Sequence, residues 1–338
     1  MPPPSSPSCI EQPMSSDVSW RAMIAPYLKP DTRLALLQLA TTLIPFIAVM
    51  GLMLVALDHG YWAGMLLFPI GGVLLVRLFM FQHDCGHGSF FSRRWANDAV
   101  GLLLGVLTLT PYTAWRASHA VHHAHTGNLD RRGVGDVTTL TIAEYRALPR
   151  WRRLQYRLYR HPAVLFGLGP VWLFLISNRI PTGNPRRRWR DWLSVLGTNA
   201  ALAAMLVTLI VTLGPIAVLC GWLPVTLLAA TIGVWLFYIQ HQFEDTYWES
   251  RPQWDFQTAA LAGASFYDLP RVLHWMTGNI GFHHIHHLSS RIPNYRLRAC
   301  HEANPAFQQA PRLTFWASLK CARLALWDTE RRKLVPFG

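Results

Sequence analysis

The 338-residue sequence predicts an all-α integral membrane protein: about four transmembrane helices in two hairpins, beneath a cytoplasmic helical cap. Three observations predict it. Charged residues make up 14% of the chain and hydrophobic ones 51%, whereas soluble domains carry about a quarter charged residues. Lys and Arg are absent from Leu34 to Val76 and again from Asp191 to Ser250, two tracts each long enough for a helical hairpin through a bilayer. Histidines gather where apolar segments end.

The first hairpin reads as Leu34–Leu57, a turn at Asp58-His59-Gly60, and a return through Tyr61–Met80. Arg77 lies near the end of this second span, where it can snorkel to the interface or pair internally. The second hairpin runs from about Trp192 to Leu213 and back through about Pro215–Ile239, with Gly214-Pro215 and Gly221–Pro224 as alternative breaks. Ala99–Leu109 is too short to span and Pro162–Ser177 is interrupted by Gly and Pro. Both read as interfacial or packed against the spans. Residues 1–30 read as a disordered tail without the basic start and apolar centre of a signal peptide, 31–310 as one membrane domain, and 311–338 as a C-terminal cytoplasmic extension.

The formal charge of +13 does not make this a nucleic-acid binder, because the basic residues crowd between and after the apolar tracts, many of them in Arg116–Arg190. That is the positive-inside pattern, and it places both termini and the Arg-rich middle on the cytoplasmic side. Anionic headgroups or an acidic partner are the expected counter-charges, with Arg186–Arg190 read as a headgroup anchor. The five cysteines (Cys9, Cys85, Cys220, Cys300, Cys321) are scattered and form no CxxC pair, which suits a reducing compartment.

Of fifteen histidines, nine carry the chemistry. His83 and His87 stand one helical turn apart directly after the second span. His119, His122 and His123 have the spacing i, i+3, i+4, and His283, His286 and His287 repeat it. His241 follows the last span. Apolar helices deliver all nine to one side of the membrane, although they lie up to two hundred residues apart. Neutral imidazole ligates iron, zinc, copper and nickel, and nine exceed what one ion accepts, so two metal ions are expected. His59, His161 and His301 read as ordinary interfacial or core histidines, and His125 and His284, out of phase, as supporting or surface groups. A rival reading takes His83–His87 as a variant of the HExxH zinc-protease motif. It leaves both later boxes unexplained, and Gly86 is a poor helix-interior residue.

The strings FQHDCGHGSFF, HHAHTGNLDRRGVGDVTTLT, FYIQHQFEDTYW and TGNIGFHHIHHLSSRIPNYRL resemble the membrane fatty-acyl desaturases, bacterial and delta-12-like, over about residues 34–300. The boxes HDCGH, HAVHH and HHIHH carry the resemblance. It implies a di-iron site that uses O2 to remove two hydrogens from adjacent methylenes of an acyl chain. The implied ligands are His83, His87, His119, His122, His123, His241, His283, His286 and His287, with Asp84, Glu244, Asp245 and Asn279 as candidate supporting groups. The chain shows no flavin or nucleotide fingerprint, no iron–sulfur spacing and no fused cytochrome b5 signature, so a separate ferredoxin or cytochrome b5-like donor is implied. The expected setting is the bacterial inner membrane with the site facing the cytoplasm. An acyl or carotenoid hydroxylase or ketolase on the same scaffold is the near alternative, and a metal carrier or intramembrane metalloprotease the remote one.

Overall fold

The structure, a computed structural model, describes residues 19–183, 186 and 188–338. Among the described residues, four helices are long and apolar enough to cross a membrane. They are α1 (Thr32–Asp58), the continuous Trp62–His87 whose regular part is α2 (Phe68–His87), and, after the intervening segment, Trp189–Leu213 and Pro215–His241. These last two bracket a tight break at Gly214, whose φ of +75° is open to glycine and strained for other residues. Of the two alternative breaks, the chain therefore uses the earlier, and Pro224 sits inside a helix.

At 26 and 27 residues, the two spans ending in histidine extend about 40 Å, roughly 10 Å more than a hydrocarbon core. They are therefore long enough for their last turns, with His83, His87 and His241, to stand beyond the core. The spans pack through Phe46, Met53, Leu78 and Phe81. Outward leucines, isoleucines and valines such as Leu37, Ile47 and Val211 stay exposed, as lipid-facing surface requires.

Between the hairpins lie α3 (Arg94–Leu107), α4 (Tyr112–His125) and α5 (Arg150–Arg160). In α3 Gly101 and Leu104 are buried while Trp95, Leu102 and Leu103 are exposed, the amphipathic surface helix expected of that stretch. The basic α5 is followed by Val164–Arg179 at a bend of 62°. This pair is either a fifth, broken span or a re-entrant loop by length and composition. With Trp189–Leu213 as α6 and Pro215–His241 as α7, the C-terminal third adds α8 (Arg271–Met276), α9 (His283–Leu288) and α10 (Asn294–Ala303).

Two departures from the sequence reading concern the ends. Residues 1–18 of the expected tail lie outside the described residues, but residues 19–30 are folded. Ser19 caps a helical turn over Trp20–Ile24, and Ile24 is buried beside Ile285 and Leu288. The C-terminal extension is stitched into the cap by short strands that helical periodicity does not reveal. Here β1 (Leu140–Thr141) lies parallel to β4 (Leu324–Asp328), which forms a hairpin with β5 (Lys333–Pro336). In a second sheet β2 (Phe266–Asp268) lies parallel to β3 (Arg312–Thr314). Arg160, 3% exposed, ties these layers together by donating to Thr138 O, Gln242 Oε1, Tyr238 Oη and Leu324 O. Of the basic run Arg186–Arg190, Arg187 lies outside the described residues, and Arg188 donates from Nε to Asp191 at 2.7 Å.

Candidate metal centre

Helix geometry sorts the histidines. On one helix, residues i and i+4 differ by about 40° in direction, whereas i+3 and i+4 diverge by about 100°. Each HxxHH box thus sends its outer pair one way and its middle histidine another. In α4, His119 and His123 join His83 and His87 of α2, while His122 turns toward His241 of α7. In α9 the roles reverse: His283 and His287 join His241 and His122, and His286 joins the first set. The result is a group of five (His83, His87, His119, His123, His286) and a group of four (His122, His241, His283, His287), with the ligating nitrogens of each within 4.8 Å of one another. All nine histidines singled out from the sequence fall in one group or the other, and among the described residues no other histidine does.

The donor set fits a metal ion at each position. Metal–imidazole bonds of roughly 2.0–2.1 Å imply nitrogen–nitrogen edges of about 2.8–3.0 Å in octahedral and about 3.3–3.4 Å in tetrahedral coordination. The Nε2–Nε2 separations are 3.2 Å for His119–His123, 3.1 Å for His123–His286, 3.2 Å for His122–His241 and 3.0 Å for His241–His283. His87 Nε2 and His287 Nε2 are buried with no hydrogen-bond partner among the described residues. Leaving such atoms unsatisfied is costly, and a cation at the centre of each group satisfies them. Burial first, and neighbouring imidazoles second, push His119, His123, His283, His286 and His287 well below the ordinary histidine pKa. These rings are therefore neutral at pH 7 and present lone pairs.

Groups behind the rings fix their orientation. His122 Nδ1 faces Asp136 Oδ1 in a close contact, and His241 Nδ1 lies 3.1 Å from the carbonyl of Gly263. With Nδ1 donating, Nε2 is left bare. Asp84 Oδ1 is 3.3 Å from His83 Nδ1, and its Oδ2 accepts from the backbone N and Nδ2 of Asn294. Asn279 donates from Nδ2 to Asn294 O at 3.0 Å, so it supports Asp84 from one position further out. Trp115 stacks on His119 with centroids 4.6 Å apart, and Gly86 makes room for it: a Cβ there would lie 2.7 Å from the indole.

Two expected supporting groups are elsewhere. Glu244 and Asp245 are exposed and pair with Lys333 of the C-terminal hairpin at 3.4 and 3.0 Å, because the chain turns outward once α7 ends. His284, out of phase as noted, is fully buried, with Nε2 3.3 Å from His301 Nδ1 and a pKa lowered by burial to about 3. Asp136, Gly263 and Asn294 were not singled out from the sequence. Asp136 and Asn294 at least stand inside the quoted strings, whereas a backbone carbonyl leaves no mark on a sequence.

Against both groups lies an elongated cavity of about 930 Å³. His83 and His119 of the first group and His283 of the second form part of its wall, and Leu75, Phe79, Ala230 and Phe237 carry it inward along α2 and α7. Its wall is mostly apolar, as suits a long hydrocarbon chain, with polar groups that include Thr226, Asn178, Arg188 and Asp191 beside the histidines.

The chain matches the fatty acid desaturase family over residues 59–318. It belongs to that family. It is 42% identical over 314 residues to a fatty acid desaturase of Bacillus subtilis, covering 93% of this chain and 89% of that protein. It is 30% identical to the sn-1 oleoyl-lipid 12-desaturase of Synechocystis sp., covering 68% and 65% of the two chains, and 32% identical to the sn-1 acyl-lipid omega-3 desaturase (ferredoxin) of the same organism, covering 69% and 65%. The desaturase thus carries its histidines on a mostly helical frame with four helices suited to crossing a membrane.

Proposed function

We propose that this desaturase introduces a double bond into the acyl chain of a membrane lipid or an acyl thioester, using two iron ions held by the nine histidines. The observation that carries the reading is the apolar cavity whose wall includes histidines of both groups. A chain lying in it passes both positions with its methylenes against the rings. Bound iron would supply the oxidation of an unactivated methylene, a step beyond the acid–base chemistry of protein side chains.

The protein's own residues do the rest. The five-histidine group and the four-histidine group each hold one ion. Asp136, Asp84 and the Gly263 carbonyl keep the ring nitrogens on the far side donating. Phe79, Phe237 and Leu75 exclude water and align the chain. Removal of two hydrogens yields two electrons and two protons; with two further electrons and protons, one O2 becomes two waters. The further electrons come from a separate donor of the ferredoxin or cytochrome b5 kind, and the ferredoxin named for the Synechocystis omega-3 relative supports that class. The positive-inside charge pattern supports a bacterial inner membrane with the histidines on the cytoplasmic side.

The test is expression, with a working donor, in a host whose lipids are saturated or monounsaturated, followed by mass spectrometry of the acyl chains. New double bonds are expected, and their loss in His286→Ala with protein still in the membrane. Hydroxylated chains, or an unchanged lipid pool despite full metal loading, would overturn the reading.

A further inference from the structure

Arg77 has no role in the chemistry above, yet it is the one charged residue within the two apolar stretches Leu34–Leu57 and Tyr61–Met80 of the first hairpin. It stands ten residues before His87, about 15 Å along α2, and is 2% exposed. A buried guanidinium at this depth calls for a counter-charge. Among the described residues it has none: Nε donates to Thr42 Oγ1 at 3.1 Å, Nη1 donates to the carbonyl of Trp275, and the group lies over the Trp275 ring at 4.2 Å. All of these partners are neutral.

The guanidinium forms part of the wall of a second pocket, of about 380 Å³, between α1, α2, α8 and α10. Arg271 and Arg298 also line it, and Glu302 is its single acid. Arg298 is 3.5 Å from Glu302, so two of the three cations are left over. The pocket is separate from the acyl cavity: Met80 and Ile280 line that cavity, while Arg77 and Asn279, their near neighbours in sequence, line this one. Beside Arg271, Val272 and Trp275 are 62% and 44% exposed, the mixture of aromatic, aliphatic and cationic side chains that sits at a headgroup level.

We infer that this pocket binds a phosphate group, carried by a lipid headgroup or free in solution. Arg77 forms its floor, and Arg271 and Arg298 close over it. A phosphate monoanion or diester has the charge to match the surplus cations and the acceptor oxygens to take several N–H donors at once, which guanidinium geometry favours. The inference does not depend on the metal chemistry and can fail separately from it.

The test uses the full chain purified in a neutral detergent. Retention of phosphatidylglycerol is measured by native mass spectrometry beside a phosphate-free galactolipid, with and without millimolar inorganic phosphate. The wild-type protein should retain phosphatidylglycerol selectively. Arg271→Gln and Arg298→Gln should each weaken it about tenfold, the loss of one charge-assisted hydrogen bond, and Arg271→Lys should recover most of it. Displacement by inorganic phosphate would assign the site to the free ion, and persistence of the lipid would assign it to the headgroup. Both results keep phosphate as the bound group. Equal retention of the galactolipid, or unchanged retention in Arg271→Gln and Arg298→Gln, would overturn the proposal.

Discussion

Replacing Asp136 with alanine tests the two-group arrangement at its least redundant point. The four-histidine group has one ring fewer than its neighbour, and His122, 1% exposed, relies on Asp136 to keep its Nδ1 proton in place. With the carboxylate gone, the buried Nδ1 loses its acceptor and the ring can turn or change tautomer, so Nε2 no longer faces the metal position reliably. A charge-assisted hydrogen bond in such a place contributes about 1.5–3 kcal/mol, or roughly 10- to 150-fold in affinity. Carboxylates behind metal-binding histidines lie in the same range, about 10- to 100-fold. The assay is metal per chain after a graded chelator challenge. Activity alone would mislead, since Asp136 also lines the acyl cavity. Asp136→Ala should lose one metal at chelator concentrations that leave the wild-type protein with two, while Asp136→Asn, which keeps an acceptor oxygen, should lie between. If Asp136→Ala keeps both metals as firmly as wild type, His122 is not oriented by this carboxylate and the reasoning is wrong.

Two further outcomes are expected. Gly233 lines the acyl cavity eight residues before His241, about 12 Å along α7, and a Cβ there meets nothing within 4 Å, so Gly233→Leu fills cavity and spares the packing. Lipid profiling should show products shifted to shorter chains with metal content unchanged; an unaltered chain-length profile would place the substrate elsewhere. His274 is held to about 4, first by burial and then by Arg298, against weaker opposing help from Asp268. The unfolded chain takes up that proton below about pH 6.5 while the folded chain resists it, so stability falls as pH drops from 6.5 toward 4. Thermal midpoints of wild type should fall more steeply across that window than those of His274→Phe, whose ring can still stack on Phe282; parallel slopes would show that His274 titrates normally.

The spans were legible because a bilayer imposes one dominant rule, a long apolar tract with few charges, and Leu34–Val76 and Asp191–Ser250, both without Lys or Arg, contain such tracts. Gly214 and Gly221 looked alike as breaks because the choice depends on backbone conformation and packing: Gly214 takes a positive φ, while Gly221 fits under Leu54, with its virtual Cβ 2.7 Å away. The histidines were legible because helical spacing and box context survive in sequence. Their supporting groups were read less well. Asp84 lies inside a box and does face His83, but Glu244 and Asp245, only a few residues past His241, point to Lys333. Nearness along the chain carries over to space inside a helix and stops doing so where α7 ends. The short strands at the C-terminus were illegible for a related reason, since strands of two to five residues carry little pattern of their own and β4 and β3 pair with β1 and β2 far back along the chain.

The exchange between the two HxxHH boxes has a consequence for how the centre assembles. Were each box devoted to one metal, α4 with α2 and α9 with α7 would make two independent sites. Instead α4 gives two rings to one group and one to the other, and α9 does the reverse, so neither group is complete without both helices. A rotation of either helix that improved one group would degrade the other, because its rings at i+3 and i+4 stand about 100° apart. The two positions therefore fix the rotation of α4 and α9 jointly. That lock holds the ring edges of His83, His119 and His283 against one cavity, so that a single bound chain meets both groups together.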